Sequence, residues 1–217
     1  MAATDDTTAP TLSRAQQATV RRVAESRATV PDATWTARVD VTALAAGLPR
    51  GATVTDAVLH AAARALPEHP RANGAYRDAR WEQRDRVNVG LALENEETLV
   101  VPVVPDADTL DLAELAERRR ELAERVRAGG LASRDLAGGT FTFWAAENPV
   151  VESVVPVLVP PQAAALGVGA ARAVPVVRDG AVVPGHEVVL TLVADHRILY
   201  GRAAEAFLGA VVAGLAA

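Results

Sequence analysis

Apolar residues recur at helical spacing in four segments of the chain. Residues 110–127 show the clearest pattern, with Leu and Val on one stripe and Glu and Arg elsewhere, and Gly129-Gly130 ends the predicted helix. Residues 53–66 are rich in alanine and apolar on nearly every face, which predicts a buried helix. Two further helices are predicted over residues 11–27, with Ser13 as a candidate cap, and from Arg202 to the C-terminus.

Runs of β-branched and apolar residues predict strands between these helices. The run EVVLTLVA is the most apolar of them, and Asp179-Gly180 upstream of it is a hairpin turn signal. Pro102 has no amide hydrogen to donate, so its strand must end there or lie at a sheet edge. The predicted strands cover residues 34–41, 87–93, 98–104, 140–144, 164–170, 174–178 and 187–194. An acidic turn lies at residues 94–97, and a short strand near Tyr76 lies in the loop of residues 67–80.

Helical and strand patterns are mixed along the chain and no segment repeats. This mixture predicts an α+β fold in one domain, residues 11–217. Residues 1–10 are small, polar and end in Pro10, which predicts a flexible tail.

Composition narrows the possible classes of protein. Half of the 217 residues are hydrophobic but only 4% are aromatic, so Val, Leu and Ala must build the core. The absence of cysteine excludes a Cys nucleophile, a thiolate metal site and disulfides. The net charge of −5 offers no basic patch for nucleic acid. There is no signal-peptide pattern, no apolar run of ~18 residues and no cluster of metal ligands, so we expect a cytoplasmic protein without membrane or metal partners.

Asp195-His196-Arg197 is the most informative tripeptide. It follows the EVVLTLVA strand, and a strand end can present a base from a fixed position. A surface turn with a local ion pair explains the same residues, and for Asp195 and Arg197 we favour that structural interpretation. The tripeptide alone leaves both alternatives open.

Further motifs accompany the DHR tripeptide: DHRILYG is followed by AAEAFL, and GTFTFWAAE precedes PPQAAALGVG. Together these motifs resemble the catalytic domain of the 2-oxo acid dehydrogenase acyltransferases, the E2 proteins of the chloramphenicol acetyltransferase-like superfamily. DHRILYG followed by AAEAFL is similar to the family's D-H-R-x-x-D-G and A-x-x-F-L. GTFTFWAAE and the later PPQAAALGVG are similar to its G-T-F-T-I-S-N-L-G and P-P-Q-x-A-x-L-G-V-G. SRAQQATVRRVAES, RVDVTAL and ETLVVPVV match in the same order, so the resemblance covers residues 11–217.

The resemblance implies a two-layer sandwich, a mixed sheet with packed helices, and an acyltransferase built as a homotrimer with its active site between subunits. His196 takes the place of the family's general base, which removes a proton from the thiol of dihydrolipoamide or coenzyme A. A thiol with a pKa of about 8.5 is mostly protonated at neutral pH, so a base is needed to form the nucleophilic thiolate. The resemblance implies a coenzyme A or lipoamide thioester as substrate and no covalently bound cofactor.

Two departures from the family affect the site. Trp144 stands 52 residues before His196, at the position where the family has the serine that donates a hydrogen bond to the oxyanion. The next residue is Ala145, where the family has an asparagine. Thr142 lies two residues before Trp144 in the same motif. Tyr200 replaces the family's aspartate before Gly201. An N-terminal arginine such as Arg14 would then lose its partner. Losing one oxyanion donor typically costs roughly 3–4 kcal/mol of transition-state stabilisation.

Three functions remain open for the chain. The first is an acyltransferase that uses His196 and receives its acyl thioester in trans, since no lipoyl domain is expected in the chain. The second is an enzyme of another reaction class with an interface pocket that Trp144 has reshaped, and the third is a non-catalytic trimeric scaffold. Three features also have purely structural interpretations. Trp144 can be a core aromatic, and the turn at residues 160–162 can shape the wall of a pocket. The helix over residues 117–127 can be a solvated face with i,i+4 ion pairs. His60 is expected near the core, and His69 and His186 in loops or turns.

Overall fold

The computed structural model describes residues 11–94 and 99–216. The predicted tail of residues 1–10, most of the predicted acidic turn and the last residue of the chain lie outside the described residues.

The described residues contain five α-helices, and three of them begin at a side-chain cap. Ser13, Thr53 and Asp111 begin three of them with capping boxes, in which the side chain at the cap and the one three residues later each accept from a backbone N–H. Gly129, at φ +66°, ends the fourth helix as predicted. The four predicted helices are confirmed and α2 was missed, because six residues are too few for a periodic pattern. The helices are α1 Arg14–Thr29, α2 Thr42–Gly47, α3 Val54–Ala65, α4 Leu112–Arg127 and α5 Gly201–Ala213.

The strands build one main mixed sheet and two small hairpins. In chain order they are β1 Asp32–Asp40, β2 Ala75–Arg77, β3 Arg80–Glu82, β4 Val89–Leu91, β5 Leu93–Glu94, β6 Leu99–Val100, β7 Val103–Val104, β8 Phe141–Ala145, β9 Ala164–Val168, β10 Arg172–Arg178 and β11 Ala181–Asp195. The main sheet has the order β1-β11-β9-β8-β4-β7, and β10 pairs with β11 beyond it. Strand β8 runs parallel to β4 and β9, whereas the other pairs in this sheet are antiparallel. The predicted α+β class and mixed sheet are confirmed.

Several predicted strand limits are wrong. Strand β11 begins at Ala181 and therefore contains His186, which we had expected in a loop or turn. The sequence analysis did not predict its first six residues as a strand, because most of their side chains are exposed to solvent and apolar and polar residues do not alternate there. The runs at 87–93 and 98–104 are each broken into two short strands, and Pro102 lies in the second break, as its missing amide hydrogen requires.

One face of the main sheet carries the hydrophobic core. Phe141 and Phe143 on β8 lie on this face, and Phe141 packs edge-on against Phe207 of α5 at 5.7 Å between ring centres. Helix α3 is buried as predicted, with seven of its twelve residues inaccessible. Helices α3 and α5 contact each other over the sheet, which gives the two-layer sandwich that the sequence led us to expect.

The opposite face is covered in part by the segment that precedes β9. Gly167 and Gly169 allow this close approach, because a Cβ atom on either would lie within 2.0 Å of a backbone oxygen of that segment. Ser26 of α1 donates to the carbonyl of Leu158, 2.7 Å away, and so attaches the helix to the same segment.

Helix α4 is not the fully solvated face that its Arg and Glu residues suggested. Arg118 and Glu121 do pair on its surface, but Arg119 turns inward and binds Asp56 of α3. The Asp56 side chain is fully buried, and Thr53 also donates to it. Burial alone would raise the pKa of Asp56, but the hydrogen bonds from Arg119 and Thr53 outweigh it and lower that pKa.

Candidate active site

His196 follows the last residue of β11 and is exposed to solvent. Its backbone N–H donates to the carbonyl of Pro31 over 2.9 Å, which attaches it to the start of β1. Strand β11 is paired on both sides, with β1 and β9, so the backbone that leads into His196 is fixed. An accessible imidazole on a fixed backbone is a suitable arrangement for a general base.

Asp195 and Arg197 flank the histidine and form the local ion pair that the sequence predicted. The Arg197 Nε and Nη2 atoms donate to the two Asp195 carboxylate oxygens over 2.8 and 2.6 Å. Asp195 is only 2% exposed, and the guanidinium carbon of Arg197 lies 3.8 Å from the centre of the Tyr76 ring. The hydrogen bonds from Arg197 to Asp195 raise the pKa of Arg197. The two side chains therefore form a bidentate ion pair across the turn.

Two aromatic rings lie close to the His196 imidazole. Trp35 of β1 stacks on it at 6.0 Å between ring centres and 18° between planes, and Tyr200 lies at 5.9 Å on a tilted plane. Beyond Tyr200, the guanidinium of Arg71 lies 5.9 Å from the Tyr200 ring and 5.2 Å from the Trp81 ring. We refer to Trp81, Arg71, Tyr200, His196 and Trp35 as the stacked row.

Sequence reasoning missed three members of the stacked row: Trp35, Arg71 and Trp81. They come from segments distant along the chain, and no local motif joins them to His196. The rarity of tryptophan was the one available signal, since the chain has only three and two of them reach this site.

Tyr200 and Gly201 form the start of α5. Tyr200 occupies the N-cap position, and its side chain makes no capping hydrogen bond within the described residues. An aspartate at this position would be able to cap the helix. Gly201 has φ +48°, a left-handed conformation that favours glycine. Arg14 is the first residue of α1 and is exposed, and its role stays a prediction.

Thr142 and Trp144 lie on β8, on the sheet face opposite the main core. The Thr142 hydroxyl is buried and donates to the Gln162 side-chain oxygen over 2.6 Å. Trp144 is half-buried, pairs with Gly167 of β9 and does not belong to the main core, contrary to the core-aromatic alternative. The Gln162 amide also donates to the carbonyl of Gly139, 3.1 Å away, so the 160–162 turn is attached to the segment that leads into β8.

Ala145 lies on the other face of β8 and lines an open cleft of about 210 Å³. The start of α3 and the inward side chain of Arg119 form the opposite wall. The cleft is lined by Thr53, Thr55, Leu91, Ala92, Leu93, Arg119, Phe143, Ala145, Ala146 and Glu147.

Within one chain, His196 and Trp144 belong to separate places on the sheet. In the sheet, Trp144 of β8 pairs with Gly167 of β9, and Gly167 in turn pairs with Thr191 of β11. Asp195 lies four residues after Thr191 on β11. Four residues of strand and two strand spacings separate Trp144 from Asp195 by roughly 16 Å. The two residues that the resemblance places in one site therefore do not meet in a single subunit.

The remaining histidines lie away from these two places. His60 is half-buried in α3 as expected, and burial, together with nearby Arg64, lowers its pKa. His69 packs edge-on against Phe207 at 5.6 Å. In residues 11–94 and 99–216, no three His, Asp or Glu side chains are grouped closely enough to bind a metal ion. No helix in that part of the chain is long and apolar enough to span a membrane.

The sequence matches the family of 2-oxoacid dehydrogenases acyltransferase (catalytic domain) over residues 4–217. The chain belongs to this family. A curated relative, the dihydrolipoyllysine-residue acetyltransferase component of the acetoin cleaving system of Bacillus subtilis, is 38% identical over 159 residues. The match covers 73% of this acyltransferase-family domain and 40% of the Bacillus protein, so the domain corresponds to well under half of that relative.

Solved structures show the same fold as this acyltransferase-family domain. A probable dihydrolipoamide acetyltransferase from Listeria monocytogenes superposes with a TM-score of 0.91 at 27% identity, over 97% of this chain and 95% of that one. A dihydrolipoamide acetyltransferase from Azotobacter vinelandii superposes with a TM-score of 0.87 at 27% identity, over 97% and 92%. In the Azotobacter enzyme the roles of a serine, a histidine and an asparagine in the catalytic mechanism were investigated.

A chloramphenicol acetyltransferase superposes with a TM-score of 0.54 at 14% identity, over 90% of this domain and 94% of that enzyme. At this identity the likeness concerns the fold alone. It confirms the chloramphenicol acetyltransferase-like architecture that the sequence motifs implied.

Proposed function

We propose that residues 11–217 are an acyltransferase domain that moves an acyl group from a thioester, with His196 as general base. The donor is an acyl thioester on coenzyme A, a carrier protein or a lipoamide supplied in trans. The observation that carries the proposal is the placement of His196: exposed, at the end of a doubly paired strand, on a turn that the Asp195–Arg197 pair stabilises. Membership of the acyltransferase family supports the reaction class.

In the proposed reaction the His196 imidazole removes the proton from the acceptor thiol. The thiolate attacks the carbonyl carbon of the acyl thioester and forms a new C–S bond, and the carbonyl oxygen becomes an oxyanion. When the tetrahedral intermediate collapses, the C–S bond to the donor breaks. The leaving thiolate takes the proton back from the imidazolium, so the base is regenerated and no net charge is transferred.

We propose a homotrimer, in which position 144 of one subunit faces His196 of the next. The separation of roughly 16 Å between Trp144 and Asp195 within one chain supports this, since one subunit alone leaves the two apart. The spacing of the Azotobacter residues is consistent with the alignment of motifs: its serine precedes its histidine by 52 positions, and its asparagine follows by four. Trp144 and Tyr200 stand at these two offsets from His196.

Trp144 favours a second candidate, an E2-fold enzyme of another reaction class. An indole fills much more space than the serine expected there and offers a flat face on which a substrate can stack. Its N–H can donate a hydrogen bond, but from a different place than a serine hydroxyl. The non-catalytic scaffold remains the third candidate, and it alone requires no reaction at His196.

The test of the proposal is His196→Ala, assayed for transfer from acetyl-coenzyme A to dihydrolipoamide and to other thiols. Turnover should fall by roughly 10²–10⁴-fold, the usual contribution of a positioned general base. His186→Ala is the matched control, because His186 is likewise an exposed histidine but lies within β11, ten residues before the turn. Equal turnover in the His196 variant and the wild type would refute the mechanism.

A further inference from the structure

We propose that Arg71 is a positioning residue for the turn that carries His196. Arg71 and Tyr200 together take the place of the polar residue at position 200, which is an aspartate in the family motif and an asparagine in the Azotobacter enzyme. The proposal rests on the proposed function, since positioning matters for activity only if His196 is the base. Neither the sequence motifs nor the family resemblance pointed to Arg71.

Arg71 contacts the turn at two points on the C-terminal side of the histidine. Its Nη1 atom donates to the carbonyl of Ile198 over 2.9 Å. The same guanidinium lies 5.9 Å from the ring of Tyr200. Ile198 and Tyr200 follow His196 by two and four residues. The Arg71 side chain therefore contacts both ends of the short segment that connects the turn to α5.

The backbone from which Arg71 projects is well fixed. Ala72 is buried, and its N–H donates to the carbonyl of His69 over 2.8 Å. The buried Asn73 side chain donates to the carbonyls of Arg84 and Arg86 over 3.2 and 3.0 Å. Arg71 therefore starts from an anchored segment, which makes it suitable as a support for the turn.

Trp81 fixes the outer side of the Arg71 guanidinium. The indole lies so close over Gly74 that a Cβ atom there would be 2.3 Å from the Trp81 ring nitrogen. The Arg71 guanidinium lies 5.2 Å from that ring and 5.9 Å from the Tyr200 ring, so it is within cation–π distance of both. Arginine is suited to this place because its planar cation packs against rings with its faces while its N–H groups donate at the edge.

The stacked row connects Arg71 to the imidazole. Tyr200, which Arg71 contacts, lies 5.9 Å from the His196 ring, and Trp35 lies 6.0 Å from the same ring. The row thus places two aromatic rings next to the imidazole. Loss of the Arg71 guanidinium frees Ile198 and Tyr200 together, and the imidazole then loses its fixed direction.

The experiment compares Arg71→Ala and Arg71→Lys with the wild type. We expect kcat for acyl transfer to fall by roughly 10–100-fold in Arg71→Ala, with KM changed less than about twofold, because misplacement of the base affects the reacting geometry rather than binding. Arg71→Lys keeps the charge but loses the planar fork, so its kcat should lie between the two. Arg77→Ala, which removes an exposed arginine of the adjacent β2, is the matched control and should retain full activity.

A second measurement follows the turn without using activity. The N–H groups of Ile198 and Leu199 donate to the Asp195 carbonyl over 2.9 and 3.0 Å. Their hydrogen exchange should accelerate roughly tenfold in Arg71→Ala and stay unchanged in Arg77→Ala. Tyr200→Ala should resemble Arg71→Ala in both measurements, whereas Tyr200→Phe, which keeps the ring, should resemble the wild type.

Unchanged exchange at Ile198 and Leu199 in Arg71→Ala would overturn the proposal, and so would faster exchange with an unchanged kcat. A wild-type protein that transfers no acyl group would refute the proposed function alone. The exchange measurement would then still decide whether Arg71 fixes the turn.

Discussion

At the scale of single residues, position 144 carries a tryptophan where the family motif has a serine. The half-buried indole of Trp144 lies on the sheet face opposite the core, in line with Gly167, where the neighbouring strand contributes no side chain. The family's serine would leave this place open and would donate a hydrogen bond. In the proposed shared site, the indole would therefore take space from the thiol arm and remove the serine donor to the oxyanion.

We expect the wild type to transfer acyl groups poorly to free dihydrolipoamide and to prefer a ligand with a flat or apolar part. Trp144→Ser should increase transfer from acetyl-coenzyme A to the dithiol if the domain is a modified acyltransferase, because one oxyanion donor is worth roughly 3–4 kcal/mol. Steady-state assays with both acceptors measure this. A loss of native activity without any gain toward the dithiol would favour the repurposed enzyme, and strong dithiol transfer by the wild type would show that the indole matters little.

The residues that the sequence revealed at the site are those that belong to a continuous motif. His196 and its flanking ion pair could be predicted from the DHR tripeptide, and the departures at Trp144 and Tyr200 from the neighbouring motifs. Arg71 and Trp35 could not be predicted, because their meeting with the turn depends on how distant segments pack. The catalytic role of His196 itself stays a prediction.

At the scale of elements, a buried ion pair joins α3 to α4. Asp56→Asn removes the charge that pairs with Arg119, and we expect a loss of about 2–3 kcal/mol in the free energy of unfolding. This lies below the roughly 3–5 kcal/mol typical of fully buried pairs, because the Arg119 side chain remains 24% exposed. Urea denaturation gives the value. Asp106→Asn, which breaks the exposed pair with Arg86, is the control and should leave the unfolding midpoint nearly unchanged.

The same pair gives a pH dependence with a definite sign. The pKa of Asp56 is lower in the folded protein than its ordinary value of 3.8, so the unfolded chain binds the proton more tightly. The stabilisation is complete above pH 3.8 and is lost as the pH falls through the folded pKa. Acid unfolding of Asp56→Asn should therefore be less steep than that of the wild type, and parallel acid transitions followed by circular dichroism would contradict this.

Two glycines differ sharply in the space around them. A Cβ atom on Gly167 would lie 2.0 Å from the Val154 carbonyl oxygen, so Gly167→Ala should cost roughly 1–3 kcal/mol of stability. Gly209 in α5 has no atom within 4 Å of such a Cβ, and Gly209→Ala should add about 0.5–1 kcal/mol, the usual difference between the two residues in a helix. Thermal unfolding of both variants tests this, and equal effects would mean that the segment over β9 packs loosely.

The elements themselves were predictable where a pattern repeats over several turns or residues. The helix with the leucine stripe, α4, was predicted to begin at Leu110, two residues before its start at Leu112, because the apolar stripe and Gly129 mark its extent. The short strands between residues 89 and 104 were predicted as two longer ones, since two or three residues carry too little pattern to show a break. The first part of β11 was missed because its side chains are mostly exposed and show no alternation.

At the scale of the whole molecule, the β10–β11 hairpin extends beyond the core with apolar side chains outward. Val177 and Val182 near its tip are each 72% exposed. Such exposed apolar surface favours association.

We expect a stable homotrimer in solution, because association buries this apolar surface and, in the proposed site, brings position 144 of one subunit to His196 of the next. Static light scattering should give about three times the chain mass of 22.6 kDa at micromolar concentration. A measured mass equal to that of one chain would mean that the proposed site between subunits does not form. An active monomer would show that His196 works without a neighbour.

The long strand β11 also determines where the chain tolerates insertions and deletions. Nine of its residues, 187–195, are paired one to one with β1, and Asp195 immediately precedes the histidine. Removing one residue from this stretch would displace His196 by roughly 3.3 Å and turn the preceding side chains to the wrong faces. Extra residues at Asp179-Gly180 would lengthen only the hairpin and leave those nine pairs in place. Length variation between this chain and its relatives should therefore concentrate at the hairpin tip, while the distance from Glu187 to His196 stays constant.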